Sequence, residues 1–266
     1  MKIAFIGLGV MGYPMAGHVK KAGMDICVYN RTTEKAEKWC DEYKGDMAPT
    51  PAEAAKDRDV VLVCVGNDND VSEVILGDNG CLGAMKDGAI LIDHTTASAK
   101  LARHLFQAAE DQGKHFLDAP VSGGQAGAEN GALTVMIGGE HDAYEVAKPV
   151  IDTYSKFNKL LGPAGNGQLA KMCNQICIAG VVQGLAEALN FAMKTGLNGG
   201  DLIETISKGA AGSWQMDNRH KTMLADQYEF GFAVDWMRKD LGIALEEAKN
   251  HGVELPVAEL VDTFYA

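Results

Sequence analysis

Lys171 and Asn174 stand three residues apart in an otherwise apolar stretch, Gly165 to Thr195 (GNGQLAKMCNQICIAGVVQGLAEALNFAMKT). In a helix that spacing places an ammonium and an amide on one face, where both can converge on a single substrate oxygen. Burying a lysine is costly, so its presence here points to function; a lysine snorkelling from a helix end is the plainer alternative. A second group is Ser122-Gly123-Gly124. Its successive backbone N–H groups and hydroxyl could cradle a carboxylate, although an ordinary glycine-rich loop reads the same way. The third is Gly7-Leu8-Gly9-Val10-Met11-Gly12, a G-x-G-x-x-G turn. It follows a short apolar run, Lys2 to Ile6, and precedes a helical pattern through Met15, Ala16, Val19 and Ala22; a second apolar strand, Ile26 to Tyr29, completes a βαβ unit. In that setting the first glycine permits the tight turn, the second admits a pyrophosphate, the third lets helix and strand pack closely, and the helix start supplies N–H donors.

The second strand ends in Asn30-Arg31-Thr32-Thr33, where a site for NAD usually carries a carboxylate for the ribose 2′-hydroxyl. Arg31 can instead bind a 2′-phosphate through charge-assisted bonds, helped by Asn30 and by Thr32 or Thr33, so NADP(H) is preferred over NAD(H). A solvated surface arginine is the competing reading. Further apolar strands are expected at Val60 to Val65, Ala89 to Asp93, His115 to Asp118, Leu133 to Ile137 and Lys159 to Leu161. Val65 and Gly66 close one of these and are assigned to the cofactor; His94-Thr95-Thr96-Ala97-Ser98 follows another, at a strand end where doubly wound sheets place ligands. His94 reads as a structural hydrogen-bonder more readily than as an acid or base.

The elements that must position these groups define two domains. Residues 1–162 read as an α/β Rossmann-like dinucleotide-binding domain closed by Gly162-Pro163, and residues 163–266 as an all-α domain beginning with the long helix. Helices are expected over Leu202 to Ser207, Ser213 to Met223, Val234 to Asn250 and Pro256 to Phe264, with breaks at Gly199-Gly200 and Gly209 to Gly212. Leu169, Met172, Cys173, Ile176, Cys177, Val181, Leu185, Leu189 and Phe191 point in every direction around the long helix, which predicts burial on all sides. A membrane span is disfavoured because Lys171, Gln175, Gln183, Glu187 and Asn190 interrupt it.

Bulk properties agree with an enzyme of small molecules. With 47% hydrophobic and 23% charged residues the 266-residue chain belongs among globular proteins. A net charge of -12 argues against nucleic acid or an anionic membrane as partner. The six cysteines include no C-x-x-C pair, so reduced thiols of a cytoplasmic protein are expected, with Cys173 and Cys177 as small buried residues. No metal site is expected, and the first residues enter a strand without a signal-peptide pattern.

Four segments, GLGVMGYPMA, DAPVSGGQAGAENGALTVMIGG, GNGQLAKMCNQ and MRKDLGIALEEA, together resemble the β-hydroxyacid dehydrogenase family, which includes 3-hydroxyisobutyrate dehydrogenase and the tartronate, succinic and glyoxylate semialdehyde reductases. The resemblance covers nearly the whole chain in the family's order. It implies a Rossmann-like domain, a long interdomain helix, and a helical domain used for substrate closure and for assembly into homodimers or homotetramers. It makes Lys171 the catalytic group and Asn174 its substrate-binding partner, with Ser122, Gly123 and Gly124 holding the carboxylate of a small acid. It places Thr96 at the nicotinamide end and Lys239 against the cofactor. Trp214, Asn218 and Arg219 fall where the family varies its substrate contacts, and the segment holding them departs from the family's pattern. Members commonly continue past the point matching Ala266.

The expected reaction is reduction of a semialdehyde, with Lys171 protonating the developing alkoxide and desolvation bringing its pKa toward working pH. Oxidation in the manner of 3-hydroxyisobutyrate dehydrogenase and a non-catalytic dinucleotide-sensing module are the alternatives. A 6-phosphogluconate dehydrogenase would need a larger helical part, and an imine reductase generally lacks the lysine.

Overall fold

The computed structural model describes residues 1–228, 231 and 233–266. Internal contacts divide the chain into two compact units, Met1–Lys171 and Met172–Ala266, so the division falls inside the long helix.

The first unit alternates strands and helices in the order β1 (Lys2–Ile6), α1 (Gly12–Lys21), β2 (Asp25–Tyr29), α2 (Thr33–Tyr43), β3 (Asp46–Met47), α3 (Pro51–Ala55), β4 (Val60–Val63), α4 (Asp68–Leu76), β5 (Ile90–Asp93), α5 (Ala99–Glu110) and β6 (His115–Asp118). It continues through β7 (Val121–Ser122), α6 (Gly124–Glu129), β8 (Leu133–Gly139), α7 (His141–Ile151), β9 (Ser155–Leu160) and the start of α8 (Asn166–Thr195). The sheet runs β3-β2-β1-β4-β5-β6 with every neighbouring pair parallel. That is the doubly wound order, whose ligands bind beyond the carboxyl ends of the strands. β8 extends it, antiparallel to both β6 and β7 and parallel to β9.

The central strands form because they are apolar on both faces. VVLV of β4 and ILID of β5 are buried throughout, as a sheet covered by helices on each side requires. One core gathers Phe5, Val28, Leu62, Ile92 and Tyr154, and the other Ile6, Val61, Leu91, Leu105 and Phe116. Burial of this kind contributes roughly 25 cal/mol for each Å² of apolar surface removed from water.

The second unit holds the rest of α8 with α9 (Gly199–Ile206), α10 (Trp214–Leu224), α11 (Val234–Asn250) and α12 (Pro256–Phe264), and its described residues include no strand. Ala179 packs with Met237, Leu241, Ala258 and Val261, while Leu185 and Leu189 pack with Ile203 and Met216.

Three expectations are corrected. α8 is not buried all round: Met172, Gln175, Ala179, Leu185, Leu189 and Ala192 form one buried row at helical spacing, whereas Cys173, Cys177, Val181, Phe191 and Met193 are exposed. Cys173 and Cys177 are therefore surface thiols, not core residues. Gly199-Gly200 opens α9 instead of breaking a helix, because the Asn198 side chain accepts the Asp201 N–H and caps the start. By length and composition α8 could cross a membrane. Its longest run without a charge, residues 172–186, is nevertheless shorter than the ~20 residues a span needs.

Candidate active site

The glycine turn leaves β1 through Gly7, which has φ +99° and whose added Cβ would lie 2.2 Å from the Cys64 carbonyl oxygen. Gly12 packs as closely, its added Cβ 2.0 Å from the Gly7 oxygen. Gly9 meets nothing within 4 Å, and both it and Val10 are exposed. α1 starts at Met11 with no side-chain cap and no acidic residue in its first turn. Two crowded glycines and one open glycine beside an uncapped helix start fit the pyrophosphate of a dinucleotide. Leu8 donates its N–H to Asn30 Oδ1 at 2.8 Å, and Asn30 Nδ2 donates to the Thr32 oxygen at 2.9 Å. Asn30 is thus a brace between the glycine turn and the end of β2.

Arg31 extends from that end with its side chain 86% exposed and paired to Asp70 of α4 at 3.3 Å. Beside it lies a pocket lined by Tyr29, Arg31, Thr33, Met47 and Pro49. Across the sheet, the Val65 N–H donates to Thr95 Oγ1 at 3.0 Å and the Thr95 N–H to Asp93 Oδ1 at 2.9 Å. Gly66 and Thr96 are partly exposed, and Thr96 is flanked by buried Thr95 and Ala97. Ser98 donates its N–H and its hydroxyl to Asp68, tying the loop after β5 to the start of α4.

Burial governs the titration of the floor beneath these loops. Asp93 is pushed up to about 7 by desolvation, opposed by its bonds to Thr95. His94 is pushed down to about 4 by burial, with Nδ1 2.7 Å from the Ala119 oxygen and Nε2 2.9 Å from the Tyr154 hydroxyl. Both ring nitrogens are engaged away from solvent, which makes His94 structural.

Ser122 ends β7 opposite Thr134. Gly123 and Gly124 follow with φ of +134° and +60°, left-handed values that favour glycine, and open space lies over Gly124. α8 begins against the carboxyl end of β6: Asp118 Oδ1 accepts the Gly165 N–H at 2.7 Å and Oδ2 the Gln168 N–H at 2.8 Å. Desolvation raises the Asp118 pKa and these backbone bonds lower it, the first effect prevailing. Lys171 follows in the second turn, only 6% exposed. The first unit thus gathers the glycine turn, the loops after β4 and β5, and the start of α8 at the carboxyl ends of its strands.

In the second unit Asn174 Nδ2 donates to Gln175 Oε1 at 2.9 Å, and Gln175 Nε2 to Asp240 Oδ2 at 2.6 Å. Lys239 Nζ lies 3.2 Å from Asp240 Oδ1 and 5.6 Å from the centre of the Trp236 ring. Trp214, half exposed, opens α10 and carries the Arg219 guanidinium 5.5 Å from its ring centre, while Asn218 Nδ2 donates to the Trp214 oxygen. Burial lowers the Arg219 pKa. Gln168, Asp118, Gln175 and Asp240 escaped the sequence reading. The one available signal was a polar side chain inside or closing an apolar run, and Asp240, beside Arg238 and Lys239, lacked even that.

Among the described residues no cluster of three His, Cys, Asp or Glu is placed to hold a metal ion.

Comparison with known proteins decides the family. Residues 2–175 match the family model described as the NAD binding domain of 6-phosphogluconate dehydrogenase, and residues 165–266 match the NAD-binding region of NADP-dependent 3-hydroxyisobutyrate dehydrogenase. The chain belongs to the β-hydroxyacid dehydrogenase family of oxidoreductases. An uncharacterized oxidoreductase of Shewanella frigidimarina is 62% identical over 100% of this chain and 91% of its own length. The 2-hydroxy-3-oxopropionate reductase of Escherichia coli is 32% identical over 96% of this chain and 87% of its own. The solved structure of Mycobacterium tuberculosis 3-hydroxyisobutyrate dehydrogenase with L-serine matches at TM-score 0.87 and 29% identity, over 99% of this chain and 92% of that one. These matches and the glycine turn together support a nicotinamide dinucleotide cofactor.

Proposed function

We propose that this β-hydroxyacid dehydrogenase works chiefly as an NADP(H)-preferring reductase of a small semialdehyde acid, with oxidation of the 3-hydroxyacid as the reverse reaction. The observation that carries the reading is Lys171, buried to 6% exposure one turn beyond a helix start bonded to the ends of β5 and β6. The dinucleotide, when bound, supplies the hydride. Lys171 gives its proton to the oxygen that becomes the alcohol, and in oxidation its neutral amine takes that proton back. The N–H groups of Gly123 and Gly124 and the Ser122 hydroxyl hold the substrate carboxylate. Asn174, Lys239, Trp214 and Arg219 enter this reading on the family resemblance, with roles toward substrate or cofactor as that resemblance assigns them. Arg31 supports the NADP(H) preference because a carboxylate is missing where β2 ends. The E. coli reductase's name supports the reducing direction, and the L-serine in the M. tuberculosis structure keeps hydroxyacid oxidation as the second reading. A homo-oligomer in the cytoplasm belongs to the same proposal.

The test is consumption of NADPH with succinic semialdehyde, glyoxylate and tartronate semialdehyde, repeated with Lys171→Ala. We expect kcat to fall by about 10²–10⁴ with NADPH affinity within a few-fold of wild type. Turnover unchanged by Lys171→Ala would reject the mechanism.

A further inference from the structure

We propose that Gln168 is a positioning residue that holds the loop bearing Thr96 in register with Lys171, so that cofactor and proton donor meet one carbonyl from fixed places. The proposal rests on the reading of Lys171 as the proton donor.

Gln168 is 1% exposed, and each polar end of its side chain is used. Its Oε1 accepts the Ala97 N–H at 3.0 Å and its Nε2 donates to the Thr95 carbonyl at 2.7 Å. The amide therefore brackets Thr96 from both sides, pairing with the loop as a neighbouring strand's peptide would. Thr95 and Ala97 are buried within this bracket while Thr96 between them stays partly exposed, in the loop beyond the carboxyl end of β5, the end at which doubly wound sheets bind ligands. Thr95 is fixed again by Val65 and Asp93. The Gln168 backbone is itself fixed by Asp118 Oδ2, so this residue joins the ends of β5 and β6 to the first turn of α8. Lys171 follows at i+3, and a helical side chain leans over the turn before its own Cα, here the turn of Gln168. A misplacement of about 1 Å between reacting groups costs on the order of 10²-fold in rate, so a clamp of this geometry governs turnover more than binding.

Two variants separate this role from simple stabilisation. Gln168→Met keeps the length and removes both polar ends. Gln168→Glu keeps the acceptor for Ala97 and can donate to the Thr95 carbonyl only when its carboxyl is protonated. Amide hydrogen exchange at Ala97 in the cofactor-free protein, the dissociation constant of NADPH, and kcat and KM with the three semialdehydes are measured for each. In Gln168→Met, exchange at Ala97 should speed up at least ~10-fold and kcat fall ~10–100-fold, with NADPH affinity and KM within ~3-fold of wild type. In Gln168→Glu the kcat deficit should shrink as pH falls from 8 to 6. Wild-type kcat in Gln168→Met despite faster exchange, or a loss of kcat matched by an equal loss of NADPH affinity, overturns the proposal. If Gln168→Met does not fold, a pH-independent deficit in Gln168→Glu overturns it. Lys171→Met guards the underlying reading. Turnover retained there rejects the proton donor itself, whereas an inactive Lys171→Met beside a fully active Gln168→Met rejects only the clamp.

Discussion

The three glycines of the turn after β1 differ in what surrounds them, and so should their alanine variants. In Gly12→Ala the new methyl meets the Gly7 oxygen, and forced overpacking costs about 1–3 kcal/mol. Its melting temperature should drop by several degrees with or without cofactor, read by thermal denaturation. Gly9→Ala adds a methyl to open space, so the cofactor-free protein should melt as wild type does. Its NADPH dissociation constant should rise at least ~10-fold, about 1.4 kcal/mol, because the methyl occupies the pyrophosphate's approach. Arg31 gives a third contrast. An exposed ion pair such as Arg31–Asp70 contributes little to stability, so Arg31→Ala should leave the melting temperature unchanged. It should raise KM for NADPH while leaving KM for NADH alone; equal changes in both would remove the 2′-phosphate role.

At the end of β5 two adjacent residues bind protons in opposite senses. Folding lowers the His94 pKa from 6.5 to about 4, so its contribution is full above 6.5 and is lost as pH falls toward 4. Folding raises the Asp93 pKa from 3.8 to about 7, so its contribution is full below 3.8 and is lost as pH rises toward 7. Between about 4 and 6.5 the two slopes oppose each other. Asp93→Asn mimics the protonated acid and removes one slope. Relative to wild type this variant should gain stability as pH rises from 4 to 7, by about 4 kcal/mol at most, in urea unfolding followed at several pH values. A constant difference would show that Asp93 is ionised in the folded protein. Elements with strong periodicity were legible beforehand: β1, β6, α11 and α12 have the expected bounds. β3 and β7 were not, since two residues each carry no alternation and are held by neighbours. The glycine turn and Lys171 were visible as local patterns. Gln168 and Asp118 were invisible because their partners lie 47 to 73 residues away, and Asp93, bonded to Thr95 two residues on, because only the fold supplies its burial.

Across the whole molecule, apolar side chains remain exposed in the helical part: Phe191 and Met193 on α8, and Val257, Leu260 and Phe264 on α12. The α12 set recurs at helical spacing, as a face awaiting cover does. If a second copy covers it, Val257→Ser with Leu260→Ser should lower the mass found by light scattering toward that of one chain, with little change in the melting temperature extrapolated to low concentration. An unchanged mass would remove α12 from the interface. Two helix starts in the first unit have opposite fates. α8 begins on the Asp118 carboxylate, which takes up its leading N–H groups, while α1 begins with neither a side-chain cap nor an acidic residue in its first turn. A negatively charged solute is therefore offered backbone donors at α1 and refused them at α8. Inorganic pyrophosphate should accordingly act as a mimic of half the cofactor, competing with NADPH and leaving KM for the semialdehyde acid untouched.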